Sequence, residues 1–281
     1  MSAIKKRKLF CELSPACYHI SLKKEYLLRD IHDRFSGEIF ARTRNTVPFS
    51  AVVKSHSSNA LRRLDMELQR NKLVNLRLAS AQINGLVVQP GETFSFWKLV
   101  GEPSAKRGYL DGLVISAGKI GRGVGGGLCQ LANLIHWLGL NSPLTVTELV
   151  HHSDALFPDS GRRVPFGTGT SVFYKNVDYR FKNTSDRPVQ LLVWLDESAL
   201  YGELRAQEPF PYIYRITEED QGYIEEDGEF FRVSRVYRVT LDRERRIIRR
   251  ELVLDNHSKV MYDYSLIPSS QIITPGLRRL T

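Results

Sequence analysis

Cysteine is scarce in this chain: Cys11, Cys17 and Cys129 are the only three among 281 residues. An odd set without a framework argues against a small domain stapled by disulfides. Cys11 and Cys17 have no second pair nearby and read as structural residues rather than half of a metal site. The H-E-x-x-H helix and the paired C-x-x-C are both missing. No metal and no cofactor are therefore expected. Long apolar runs are missing too. No stretch approaches the ~20 apolar residues that a spanning helix needs. The most apolar helical candidate, Leu131 to Leu140, is short and carries Asn133 and His136. The basic cluster Lys5-Lys6-Arg7-Lys8 lacks the apolar stretch of a secretory signal, because Leu9-Phe10 gives way at once to Cys11, Glu12 and Pro15. A soluble, cytoplasmic protein is the expectation. Zinc-finger spacing and an aromatic ribonucleoprotein strand are also absent, so nucleic acid is not expected as a partner.

What is present is an ordinary globular composition, 42% hydrophobic and 25% charged, enough to fold around a buried core. The formal charge is +9. That favours an acidic partner, such as a phosphate-bearing ligand or an anionic membrane surface, beside the plainer reading of a basic solvated surface. Residues 1–57 hold eleven Lys and Arg against five Asp and Glu, so most of the excess lies there. Peripheral contact of this region with an anionic membrane is one expectation from it.

The chain divides into a basic N-terminal region (1–57), a core domain (58–208) and a β-rich extension (209–281). Tyr18 to Phe35 reads as a helix with Leu22, Tyr26, Leu27 and Ile31 near one face. Ser57-Ser58-Asn59 offers N-cap oxygens to a second helix ending near Ala81. Short strands follow at Gly85 to Val88 and Thr93 to Trp97. A glycine-rich stretch of strands and loops then leads into one helix, Leu128 to Leu140, closed by Gly139 and Pro143. Beyond it the texture is β, with strands at Thr145–Val150, Val177–Phe181, Val189–Leu195 and Leu200–Ala206. Charged strands follow at Tyr212–Ile216, Phe230–Leu241 and Ile247–Leu254, with hairpin signals at Glu226-Asp227-Gly228 and Asp242-Arg243-Glu244. The fold class is α+β: a helical N-terminal region packed on a mainly antiparallel β domain, with one central helix after Gly-Gly-Gly-Leu-Cys-Gln.

That motif draws most of the functional interest. Gly125, Gly126 and Gly127 are costly in chain entropy. They make sense where the backbone needs unusual dihedrals or a ligand must approach it. Cys129 falls in the first turn, where the helix dipole lowers a thiol pKa and activates it as a nucleophile. Backbone N–H groups there, or the Gln130 side chain, can hold an oxyanion. A buried packing cysteine and an anion cradle remain open readings. His136 lies about 10 Å along the helix from Cys129 and is too far to share a proton. His151-His152 follows a predicted strand, and only one of the pair can face Cys129. Asp178, on the next predicted strand, is the natural carboxylate to orient that histidine.

The run Pro90-Gly91-Glu92-Thr93-Phe94-Ser95-Phe96 resembles the opening signature of the VanW family. Val100-Gly101, Arg107-Gly108-Tyr109, Gly125 to Gln130, His152-Ser153 and Asp178-x-x-Phe181-x-Asn183 continue it in order, and the chain is similar to the family's short form. The signature spans roughly residues 80–200. The resemblance implies a link to glycopeptide resistance and cell-envelope peptidoglycan. Relatives carry Asp-Ala-Thr after the histidine block, where this chain reads Gly169-Thr170-Ser171. Two functions follow as expectations. One is a cysteine-dependent hydrolase or acyl transferase acting on peptidoglycan or its precursors, with Cys129 as nucleophile, His152 as base, Asp178 as orienting carboxylate and Gln130 at the oxyanion. Glu92, Arg107, Tyr109 and the three glycines would bind substrate. The other is a non-catalytic protein that binds an anionic precursor or partners resistance proteins.

Overall fold

The computed structural model describes residues 9–60, 65–116, 119–151, 154–156, 158 and 164–273. After the N-terminal helix α1 (Pro15–Phe35) come β1 (Ala51–Asn59), α2 (Met66–Ala81), β2 (Leu86–Val88), β3 (Thr93–Ser95) and α3 (Phe96–Val100). The hairpin β4 (Asp111–Ser116) and β5 (Lys119–Val124) leads into α4 (Cys129–Leu140). Short strands β6 (Thr145–Glu148), β7 (Asp154–Ala155) and β8 (Arg180–Lys182) precede β9 (Val189–Leu195) and β10 (Ala199–Ala206). Three long strands follow: β11 (Ile213–Glu226), β12 (Glu229–Leu241) and β13 (Ile247–Val260). The fold is mixed α+β with helices towards the N-terminus and mainly antiparallel sheets, as the sequence indicates.

The central sheet has the order β1-β10-β9-β2, every pair antiparallel. Leu131, Leu134, Ile135 and Leu138 of α4 join Leu76 and Ala79 of α2 in the core beneath Val189, Leu191, Leu200 and Leu204. A Cβ on Gly202 would lie 3.0 Å from both Leu134 Cδ2 and Leu138 Cδ1, so the glycine lets α4 seat closely on β10. Beside this core runs β3-β8-β6, where Phe94 and Phe181 stack with centroids 4.7 Å apart. The long strands form the sheet β11-β12-β13-β7 over a smaller cluster of Ala155, Tyr223, Val260 and Ile267. Asp227 and Gly228 both take positive φ, 51° and 78°, which is the two-residue turn that closes a tight hairpin.

Several local expectations need correction. Ser57-Ser58-Asn59 does not cap a helix; it ends β1, which pairs with β10 from Ala51↔Ala206 to Asn59↔Ala199. The boundary drawn at 57/58 thus falls inside a strand of the central sheet. Asp65 is the cap of α2, accepting from Glu67 N and Leu68 N. The Thr93–Trp97 strand stops at Ser95, whose hydroxyl accepts from Lys98 N and starts α3. Gly101, at φ 70°, ends that helix. Of Val177–Phe181, only Arg180 and Phe181 are in a strand, and the Asp178 carboxylate before it accepts from Trp97 N and Tyr179 N.

The face of α1 is also redistributed. Leu22, Tyr26, Arg29 and Asp33 turn towards the body, whereas Leu27 and Ile31 stay exposed. Polar contacts dictate this. Arg180, on β8, forks onto Asp33 with N···O distances of 2.7 and 2.8 Å, and its Nε reaches Asp178 at 2.8 Å. Lys98 contacts Asp33 at 2.8 Å, and Arg29 pairs with Glu148. Burial alone would raise the Asp33 pKa. Hydrogen bonds from Arg180 and Lys98 outweigh it and hold the carboxyl down, at about 2.

Removing one partner of a buried pair leaves the other charge desolvated, so Asp33→Ala should cost roughly 3–5 kcal/mol in urea unfolding. The folded pKa lies below the unfolded value of about 3.9. The pair's contribution is therefore complete above that value and is lost as pH falls through about 2. Asp33→Asn should flatten that acid limb, and an unchanged limb would contradict the assignment.

Candidate functional site

The glycine triplet sits where three pieces of protein converge. Gly125 and Gly127 take φ of 78° and 93°, a region that side chains rarely adopt. A Cβ on Gly126 would lie 2.2 Å from the Gly112 carbonyl carbon. On Gly127 it would lie 2.3 Å from Lys72 Cγ, and on Gly125 2.6 Å from Pro103 Cβ. Fully buried Asn75 clamps the crossing: its Nδ2 donates to Gly126 O (3.0 Å) and Leu110 O (2.9 Å), and its Oδ1 accepts from Leu110 N (2.8 Å). The space that side chains would fill is occupied by α2, the Gly112 backbone and Pro103.

Cys129 is the first residue of α4, as expected. Its Sγ lies 3.9 Å from Val172 O, and burial pushes the thiol pKa up against a smaller opposing pull from nearby backbone groups. The expected depression at the helix start is thus outweighed by desolvation. One turn on, Asn133 Oδ1 accepts from Thr170 N at 2.7 Å. A turn further, His136 is buried with Nδ1 3.3 Å from the Tyr179 hydroxyl. Its ring lies 6.3 Å from that of His151. Burial first, and then the neighbouring His151, lower the His136 pKa to about 3, so the ring is neutral at ordinary pH. His151 Nδ1 contacts Gly167 O (2.8 Å) and Gly169 O (3.2 Å), which fixes Nδ1 as the protonated nitrogen. Residues 167–172 therefore form a strap along the Cys129-Asn133-His136 face of α4.

The remaining sequence candidates are placed as follows. His152 lies outside the described residues. Asp178 accepts from Ser95 Oγ (2.5 Å), Trp97 N (3.0 Å), Tyr179 N (2.9 Å) and Arg180 Nε (2.8 Å), and no histidine among the described residues bonds to it. The Gln130 side chain donates to Ser58 Oγ (2.9 Å) and Asn59 O (2.8 Å), tying α4 to β1. Glu92 caps its own turn by accepting from Gln89 N at 2.9 Å. Arg107 donates to Glu102 O at 2.7 Å, and its guanidinium lies 5.6 Å from the Tyr109 ring centroid. Tyr109 is buried, its hydroxyl has no hydrogen-bond partner among the described residues, and burial raises its pKa.

A cleft of about 200 Å³ opens between α4, β6 and the long-stranded sheet. His136, His151, Thr145, Thr168, Arg238 and Glu251 supply its polar lining. Sequence reading missed it because Arg238 and Glu251 come from the C-terminal strands, about a hundred residues from His136 and His151. The only local signal was the histidine pair, of which His151 lines the cleft. No group of three or more His, Cys, Asp or Glu among the described residues is placed to hold a metal ion.

This α+β core, with a glycine-clamped helix start under a strap, matches the family model described as VanW like protein over residues 71–205. The chain is 31% identical to the vancomycin B-type resistance protein VanW of Enterococcus faecalis, over 82% of this chain and 85% of that protein. The chain belongs to the VanW family. It is also 30% identical to the uncharacterized protein YoaR of Bacillus subtilis, over 57% of this chain and 48% of that one. No solved structure matches.

Two measurements check this geometry. Alkylation of Cys129 by iodoacetamide should reach half its limiting rate above the free-thiol pKa of about 8.5. A midpoint well below that value would restore an activated thiolate. For His136 the unfolded ring charges near pH 6.5, but the folded one only near 3. Stability should therefore decline as pH falls from the first value towards the second. His136→Gln should shrink that decline in pH-resolved thermal melts.

Proposed function

We propose that this protein is a non-catalytic binding component of glycopeptide resistance, working at the cytoplasmic face on an anionic peptidoglycan precursor. The observation that supports the non-catalytic reading is the state of Cys129. Its thiol pKa is raised by burial, and a backbone carbonyl lies beside the sulfur. A nucleophile needs the opposite environment, a thiolate with open donors for the oxyanion; the base named for it, His152, lies outside the described residues. The Gln130 and Asp178 side chains are already committed to backbone and side-chain partners. The glycines face protein rather than a cavity.

Binding falls to the cleft. Its volume suits a short fragment such as the carboxyl end of a precursor peptide. With Nδ1 held by carbonyls, His151 presents Nε2 as its remaining polar atom. Arg238 and Glu251 enter its wall as an ion pair 3.1 Å apart, with Arg238 also donating to Leu144 O, so a ligand would meet them as a pair, while Leu140, Val146 and Leu149 provide apolar wall. The family's association with resistance supports a cell-wall ligand, since the Enterococcus relative is a vancomycin B-type resistance protein.

Calorimetry with a nucleotide-linked muramyl pentapeptide tests this. Wild type and Cys129→Ser should bind alike, and mass spectrometry should recover the precursor intact. Thr145→Trp, at the cleft rim, should weaken binding about tenfold or more, equivalent to ~1.4 kcal/mol. Conversion of the precursor by wild type but not by Cys129→Ser would establish the cysteine-enzyme reading instead.

A further inference from the structure

Helix α1 is mounted with its apolar side out. Counted at about 100° per residue, Leu22, Tyr26, Arg29 and Asp33 mark its inward face. The opposite arc carries Ile20, Leu27, Leu28, Ile31 and Phe35. Phe35 is 80% exposed, Leu27 60% and Ile20 58%. The same arc holds exposed Lys23, Lys24 and Arg34, and the exposed carboxylate of Glu25 lies about 60° beyond its edge. Asp33 is buried under the helix, and Asp30, on the flank, pairs with Lys175. Phe10 and Leu13, just before the helix, are also more than half exposed. They directly follow the sequence Lys5-Lys6-Arg7-Lys8.

A 21-residue helix is about 31 Å long. One such face, left in water, is a standing hydrophobic cost, so it needs an occupant. The helix cannot roll to bury it, because Arg29 and Asp33 are locked into the ion cluster below. The mixture of exposed apolar side chains with Lys23, Lys24 and Arg34 on one arc discriminates between occupants. A second copy docking face to face would oppose Lys and Arg with Lys and Arg. An anionic lipid surface satisfies both parts, taking the apolar side chains into the acyl boundary and the cations at the headgroups.

We propose that the outward face of α1 docks this protein on anionic membrane surfaces, lying in the interface without crossing it. Among the described residues no helix is long and apolar enough to span. This attachment is independent of the cleft, so it stands or fails separately from precursor binding.

The test is flotation of the full chain with lipid vesicles. Phosphatidylglycerol-rich vesicles should carry the protein up the gradient at low salt, and pure phosphatidylcholine vesicles should carry much less. Ile31→Glu with Phe35→Glu should abolish flotation while leaving the thermal midpoint unchanged, because both positions are exposed. Lys23→Gln, Lys24→Gln and Arg34→Gln together should weaken it by about two orders of magnitude, each basic residue near the surface being worth roughly a factor of five. Failure of the wild type to float would overturn the proposal. So would self-association in sedimentation that Phe35→Glu abolishes, which would give the face to a second copy.

Discussion

Arg180 is held between two carboxylates, Asp33 from α1 and Asp178 from two residues before it in the chain, and all three are buried. A guanidinium removed from water needs its donors satisfied by charge, and here the fork onto Asp33 and the Nε contact to Asp178 satisfy them. The consequences spread in both directions. Towards the core, Asp178 receives Trp97 N and Ser95 Oγ and so sets the start of α3. Towards the surface, Asp33 fixes which side of α1 meets the body. An apolar replacement of the whole cluster could match its stability. It would not match its geometry, since a greasy interface would let α1 turn its leucines inward.

The glycine-cysteine segment answers a different constraint. Three adjacent glycines carry a large entropic cost, and the sequence alone allows a ligand or a tight backbone crossing as the reason. The approach of Gly112, Lys72 and Pro103 to those Cα atoms favours the crossing. Asn75 then satisfies the carbonyls that the crossing buries. Cys129 inherits a first-turn position whose electrostatic advantage is cancelled by desolvation. The functional interest moves along α4 to its His136 end, where the strap, β6 and the long-stranded sheet leave a polar cleft.

Much of this fold was legible because periodicity and turn chemistry are local. The Asp227-Gly228 turn, the alternation in β9 and β10, and the apolar face of α4 each carry their signal within a few residues. Strand β1 did not, because Lys54-Ser55-His56-Ser57-Ser58 has no apolar alternation; its pairing partner 150 residues downstream makes it a strand. The redirected face of α1 was equally hidden. Four leucine and isoleucine positions, Ile20, Leu27, Leu28 and Ile31, would normally mark a helix's buried side, and here the distant Arg180 sets the opposite face inward. Of the candidate site, the position of Cys129 at a helix start was read correctly. Its environment depended on Val172 and the strap, which spacing cannot reveal. The roles foreseen for Gln130 and Asp178 meet side chains that the fold already employs elsewhere.

The account turns on the claim that the buried ion cluster, rather than apolar packing, holds α1 in its outward-facing pose. Hydrogen exchange resolved along α1 in wild type and Arg180→Met tests it most directly. The account predicts that amides of Tyr26 to Phe35 lose protection in the variant while those of α4 keep theirs. Retained protection across α1, with the central helix equally unaffected, would contradict it.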